Sequence, residues 1–209
     1  MDVVDELVRR SRAGDRAAFT QLYREHRQSV ARLVFRMTGR SNEVEDTVQE
    51  VFLQAYRSLG EFRGQSKFST WLHRVAVNVV LMARRAQRNR PSVIDLPLES
   101  ERSPDPRLLP DEDASRLRRM AAFRNLLEKI PEKKRVVYIL HDIEGLPPTE
   151  IAAIVDAPVL TVRTRLFYAR RELIKLMRRD PVLAQLVDEI AADLRQTEEP
   201  LAAAGEEES

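Results

Sequence analysis

What most constrains this chain is the stretch 91–115. It holds five of the eleven prolines and seven acids (Asp95, Glu99, Glu101, Asp105, Asp111, Glu112, Asp113) against Arg102 and Arg107, with no helical or strand period. A run this long without periodicity is uncommon inside a compact domain, so it joins two bodies or has a role of its own. On both sides the apolar residues recur at helical spacing. The expectation is an all-α chain of two small helical domains joined by an acidic, Pro-rich linker. Its parts are a first domain over 1–90, the linker over 91–113, a second domain over 114–179, and an amphipathic helix with an acidic tail over 180–209.

In the first part, residues 2–12 read as a short helix ending near Gly14, and Asp15 can cap a longer one through about Met37, with Gly39 as its stop. Ser41 is expected to cap the next helix, which buries Val44, Val48, Val51, Phe52, Ala55 and Leu59. Opposite them Asp46, Gln49, Glu50 and Leu53 form a polar strip with one apolar residue inside it, either a solvated face or a partner-binding one. After a loop, Ser66 is expected to cap a helix over 67–89 with Leu72, Val75, Ala76, Val79 and Met82 or Ala83 facing inward. Its other face then offers Lys67, Arg74, Asn78 and Arg85, with Trp71 at the edge.

Between 61 and 90 the cations Arg63, Lys67, Arg74, Arg84, Arg85, Arg88 and Arg90 oppose a single acid, Glu61, with Phe62, Phe68 and Trp71 interleaved. Cations track phosphates, and a ring can stack on an unpaired base for about 1–3 kcal/mol. The same three rings also suit an ordinary core.

In the second part Leu117, Met120, Phe123, Leu126, Leu127 and Ile130 define one helix, and Pro131 opens another that runs to about Ile143 and stops at Gly145. Residues 148–167 then read as a helix-turn-helix: a short helix from Pro148, small Ala152 for close crossing, a turn at Asp156-Ala157-Pro158, and a second helix lined by Val162, Leu166, Ala169, Leu173 and Leu176. Its expected exposed face carries Arg163, Thr164, Arg165, Arg170 and Arg171, residue types that read base edges and phosphates in a major groove. The C-terminal amphipathic helix is expected over 181–196, followed by the acidic tail.

Other functions find little footing. The chain has no Cys, its three His are far apart, and its six Gly form no phosphate-cradling loop, so no metal site, thiol chemistry or cofactor is expected and an enzyme fits least. The longest apolar run, 75–83, is broken by Asn78 and falls short of the roughly 20 residues that span a bilayer. The acidic N-terminus lacks the features of a signal peptide, and a cytoplasmic location is expected.

Both halves together resemble the extracytoplasmic-function group of bacterial sigma-70 factors. In the first half the resemblance rests on Glu45-Asp46-Thr47-Val48-Gln49-Glu50-Val51-Phe52, on Phe62-Arg63 and on the run from Phe68-Ser69-Thr70-Trp71 to Asn78. In the second half it rests on Ile130-Pro131, Glu144-Gly145-Leu146, Glu150-Ile151-Ala152, Pro158, the run Thr161-Val162-Arg163-Thr164-Arg165-Leu166, and Ala169-Arg170. It covers roughly 15–178 apart from the linker.

The resemblance implies a transcription initiation factor whose partners are core RNA polymerase, promoter DNA and an anti-sigma factor. It would place Asp46, Gln49, Glu50 and Leu53 on the polymerase clamp. Arg63, Lys67, Trp71, Arg74, Asn78 and Arg85 would meet the minus-ten element and its melting, and Thr161, Arg163, Thr164, Arg165 and Arg170 the minus-thirty-five duplex. The chain departs from the family at Asp156 and Leu160, where Gly is common, and at Met82, where an acid is frequent. Asp tolerates a left-handed backbone better than most residues, so the turn can survive. The rival readings are a stand-alone helix-turn-helix regulator and an interaction protein that binds polymerase or an antagonist without reading DNA.

Overall fold

A computed structural model describes residues 3–89 and 111–187. Among them every regular element is helical: α1 (Val3–Arg12), α2 (Arg16–Thr38), α3 (Val44–Ser58), α4 (Phe68–Asn89), α5 (Asp111–Lys129), α6 (Glu132–Tyr138), α7 (Pro148–Val155) and α8 (Val159–Met177). Short 3-10 turns lie at Ser41–Glu43, Leu59–Glu61 and Ala184–Leu186, and a π-turn at Ile139–Ile143. Most of the expected linker lies outside the described residues, as does the C-terminal helix expected beyond residue 187. Residues 181–187 form turns around the last 3-10 segment and bury Leu183 and Val187. No described helix is long and apolar enough to cross a membrane.

Two compact units emerge, one combining Met1–Arg102 with Ile139–Val162, the other Ser103–Tyr138 with Arg163–Ser209. In the first, α2 packs on α1, α3 and α4, and α4 also packs on α3 and α7. Leu22, Leu33, Val48, Val51, Leu72 and Ala76 are buried there without measurable exposure or nearly so. Asp15 caps α2 by accepting hydrogen bonds from the amides of Ala17 and Ala18 at 2.9 and 3.1 Å. Gly39 ends it in the left-handed region (φ 71°), its amide donating to the carbonyl of Phe35. Both ends therefore follow from residue types legible in the sequence.

Some details differ from expectation. Ser41 opens a 3-10 turn, and α3 starts only at Val44. The Ser66 hydroxyl donates to the carbonyl of Lys67 at 3.4 Å instead of accepting amides, and α4 begins at Phe68. The inward face of α4 includes Val77 and Val80, whereas Val79 is half-buried and Met82 is 68% exposed.

The second unit is built from α5, α6 and the body of α8. Leu126, Leu127, Ile130, Val136, Val137, Leu166, Ala169, Leu173 and Met177 are buried in it, while Met120, expected inside, is exposed. Arg135 is buried too; its Nη1 donates to the carbonyl of Glu128 at 3.2 Å and to Glu128 Oε2 at 2.8 Å. A buried guanidinium is tolerable only when compensated in this way, and here it ties α6 to the end of α5.

Candidate nucleic-acid interface

In the first unit α3, the 59–66 segment and the outer stripe of α4 enclose a cleft of about 820 Å³. Its α4 wall is Trp71, Arg74, Asn78 and Met82, with Val75, Val79 and Ala83 beside them. These positions recur at three- and four-residue steps, so they share one face. The opposite wall brings Glu50 and Gln54 of α3, and Glu61, Phe62 and Arg63 close the end. The site is thus a part-apolar slot lined by an indole, two guanidiniums, the carboxamides of Gln54, Gln65 and Asn78, and the carboxylates of Glu50 and Glu61.

The rings divide by burial. Phe62 and Phe68 are core residues, edge-to-face with centroids 5.9 Å apart, whereas Trp71 is half-buried. Trp71 rests against both, at 5.4 and 5.5 Å, so two buried rings fix the orientation of one partly open indole. An amphipathic ring held in this way can present a flat face without losing much side-chain entropy on binding. The core reading thus holds for the two Phe, and the stacking reading is left to Trp71.

Of the six residues expected at this surface, Arg63, Trp71, Arg74 and Asn78 line the cleft. Lys67 and Arg85 are exposed but do not line it. Met82 or Ala83 is expected to face inward, yet both are exposed and line the slot, because α4 is apolar on two faces, one for the core and one for the cleft. The position of Met82, four residues after Asn78, was the available signal.

On α3, Asp46, Gln49, Glu50 and Leu53 are all exposed, with Leu53 at 51%. Tyr56, which the sequence reading passed over, extends this strip and stands edge-on to Phe19 at 4.9 Å.

The two helices and the turn between them lie where the spacing puts them, α7 over Pro148–Val155 and α8 from Val159. Asp156 adopts φ 50° and ψ 59°, its amide donating to the carbonyl of Ala152, and it is the single non-Gly residue with positive φ among those described. On α8, Arg163 and Thr164 are exposed, Thr161 and Arg165 half-exposed, and Arg171 lies over the Phe167 ring at 5.5 Å. Arg170 departs from expectation: it is only 7% exposed. It directly follows the fully buried Ala169, so it belongs to the inner side of the helix. A cation at that depth needs compensation within the protein.

Residues 22–90 match the profile of Sigma-70 region 2, and residues 120–173 that of Sigma-70 region 4. The ECF RNA polymerase sigma-E factor of Escherichia coli is 40% identical over 179 residues, covering 80% of this chain and 90% of that protein. This chain belongs to the extracytoplasmic-function group of sigma-70 factors. It is a transcription initiation factor that directs RNA polymerase to promoters, and not an enzyme. The RNA polymerase sigma-H factor of Pseudomonas aeruginosa is 33% identical, with 82% of this chain and 92% of that one covered. Among solved structures, CnrH in complex with the cytosolic domain of CnrY resembles this sigma factor with a TM-score of 0.64 and 26% identity, over 86% of this chain and 99% of that one. The sigma factor RpoE of Bartonella quintana, solved with the anti-sigma factor NepR, shares the fold at a TM-score of 0.54 and 20% identity, over 78% of this chain and 98% of that one.

Proposed function

We propose that the sigma factor divides its task among three surfaces. The cleft between α3 and α4 receives an unpaired base of the minus-ten strand, with Trp71 stacking on DNA, Asn78 offering hydrogen bonds inside and Arg63 and Arg74 holding phosphates. What carries this reading is the half-buried Trp71, fixed by Phe62 and Phe68 at the mouth of a cleft of about 820 Å³. Unstacking a base costs a few kcal/mol, and stacking of about 1–3 kcal/mol per base plus pocket contacts can offset it. Lys67 and Arg85, outside the slot, extend the cationic track along the strand.

The exposed strip Asp46, Gln49, Glu50 and Leu53, lengthened by Tyr56, is the polymerase-binding face. Its mixture of acids and apolar groups suits a cationic, part-apolar partner. Thr161, Arg163, Thr164 and Arg165 read the minus-thirty-five duplex, with Arg170 supporting the helix from inside. On this reading 1–90 and 114–179 are the functional domains, joined by 91–113, and the factor works in the cytoplasm. An anti-sigma factor is a further partner, supported by the complex solved for the Bartonella quintana protein.

Run-off transcription with bacterial core polymerase tests the whole. New discrete transcripts are expected with the chain present. For the cleft, Trp71→Ala or Asn78→Ala should lower permanganate reactivity of promoter thymines more than promoter occupancy; reactivity equal to wild type would sink the assignment.

A further inference from the structure

The most exposed large apolar side chain among the described residues is that of Leu160, 74% open in the first turn of α8. Val162, Leu166, Ala169 and Leu173 form the buried row of the same helix. Leu160 precedes Val162 by two positions, a rotation of about 200° at the α-helical period, so it projects from the opposite side. Thr164 and Arg171 follow at helical steps of four and then seven, and both are exposed on its stripe, with Arg163 beside them. Phe167 is on this side too, but its ring is engaged by the Arg171 guanidinium at 5.5 Å and by Tyr168 at 5.4 Å. A lone exposed leucine is ordinary on a protein surface. This one stands in a row with Arg163 and Thr164, on the turn from which a groove-bound helix reaches base edges.

We infer that Leu160 is a specificity-determining residue for the minus-thirty-five duplex, packing on the C5-methyl group of one thymine in the major groove. The inference deepens the assignment of α8 to that duplex and rests on it. Among the four bases only thymine has an apolar group on its major-groove edge; the others present amino donors or carbonyl and ring-nitrogen acceptors alone. The leucine side chain has no polar atom. Set against the amino group of cytosine or O6 of guanine, it strips water from a donor or acceptor and returns no hydrogen bond, which costs affinity. Set against the methyl group, it removes apolar surface from water on both sides. Arg163 and Thr164 remain for polar base edges and phosphates. The stripe therefore joins one apolar reader to hydrogen-bonding ones, and Leu160 discriminates by exclusion as much as by attraction.

Deoxyuridine pairs as thymidine does and lacks only the methyl group, so replacing the thymines of the upstream element one at a time isolates this contact. The probe is promoter duplex recovered by run-off transcription, and the protein is the holoenzyme. With wild type, one such replacement should weaken binding about fourfold, the effect of one methyl-sized group leaving an apolar contact. With Leu160→Ala, unmodified duplex should bind more weakly and the same replacement should be nearly neutral, since both changes remove one contact. Met120→Ala, which truncates an exposed apolar residue of α5, should keep the wild-type loss in full. Losses of equal size in wild type and Leu160→Ala would overturn the inference, as would an upstream element with no thymine whose methyl group matters. Failure of the α8 assignment itself shows separately, as Arg165→Ala leaving affinity for the upstream duplex and its salt slope unchanged.

Discussion

His73 of α4 and Ser29 of α2 meet through a 3.2 Å contact between Nε2 and Oγ, while the second ring nitrogen, Nδ1, is buried with no hydrogen-bond partner. Burial pushes His73 below the ordinary 6.5; His26 acts in the same direction, and Glu144 and Glu150 oppose it. His26 is lowered as well, again chiefly by burial. A lowered folded value means that the fold favours the neutral ring, so this stability is complete above pH 6.5 and is lost as the pH falls through the depressed value. The melting temperature should decline below that pH, and His73→Gln should make the decline shallower. Parallel curves for the two proteins would refute the role of His73.

The reassigned face of α4 separates stability from function. Leu72→Ala removes a side chain that is 1% exposed and should cost about 2–5 kcal/mol in denaturant unfolding. Met82→Ala should leave the unfolding midpoint within about 0.5 kcal/mol, as exposed positions do, yet weaken binding of a single-stranded minus-ten oligonucleotide. A large loss of stability at Met82 would return that residue to the core.

Gly39 holds a left-handed C-cap where an added Cβ would meet nothing within 4 Å. Substitution therefore tests backbone strain alone. Gly39→Ala is expected to destabilise by about 1–2 kcal/mol in urea unfolding, with an unchanged m-value. No change would mean that the end of α2 relaxes freely.

On α8 the exposure pattern predicts unequal roles for neighbouring arginines. Arg165→Ala should weaken upstream duplex binding by about 1–3 kcal/mol if it reads a base, or lower the salt slope by about 1 if it holds a phosphate. Arg170→Ala should instead lower the melting temperature and leave the salt slope alone. A changed slope for Arg170 with unchanged stability would reverse this assignment.

Periodicity and caps made most of the fold legible. Asp15 and Gly39 bound α2 as their chemistry requires, and the turn after α7 survives Asp156 because a short polar side chain accepts the left-handed conformation. The failures have a common origin. Along 75–83 nearly every residue is apolar, so spacing cannot say which stripe faces the core and which faces the cleft, and neither Met82 nor Ala83 faces the core. Arg170 was misread for the opposite reason: charge suggests exposure, whereas only packing reveals an interior cation. The contact of Glu150 with Thr70 spans 80 residues of chain, and no local pattern encodes it.

The π-turn at Ile139–Ile143 has one residue more per turn than an α-helix would need, with the amide of Glu144 donating to the carbonyl of Ile139. That extra residue sets the direction in which Glu144 leaves the helix, toward Arg36 Nη1 at 2.7 Å. Deleting one residue there would swing the exit by about 100° and carry Glu144 from its partner, though no contacting side chain had been altered. For this segment, chain length is itself a specification: a shortened relative could keep every functional residue and still deliver α7 to a different place.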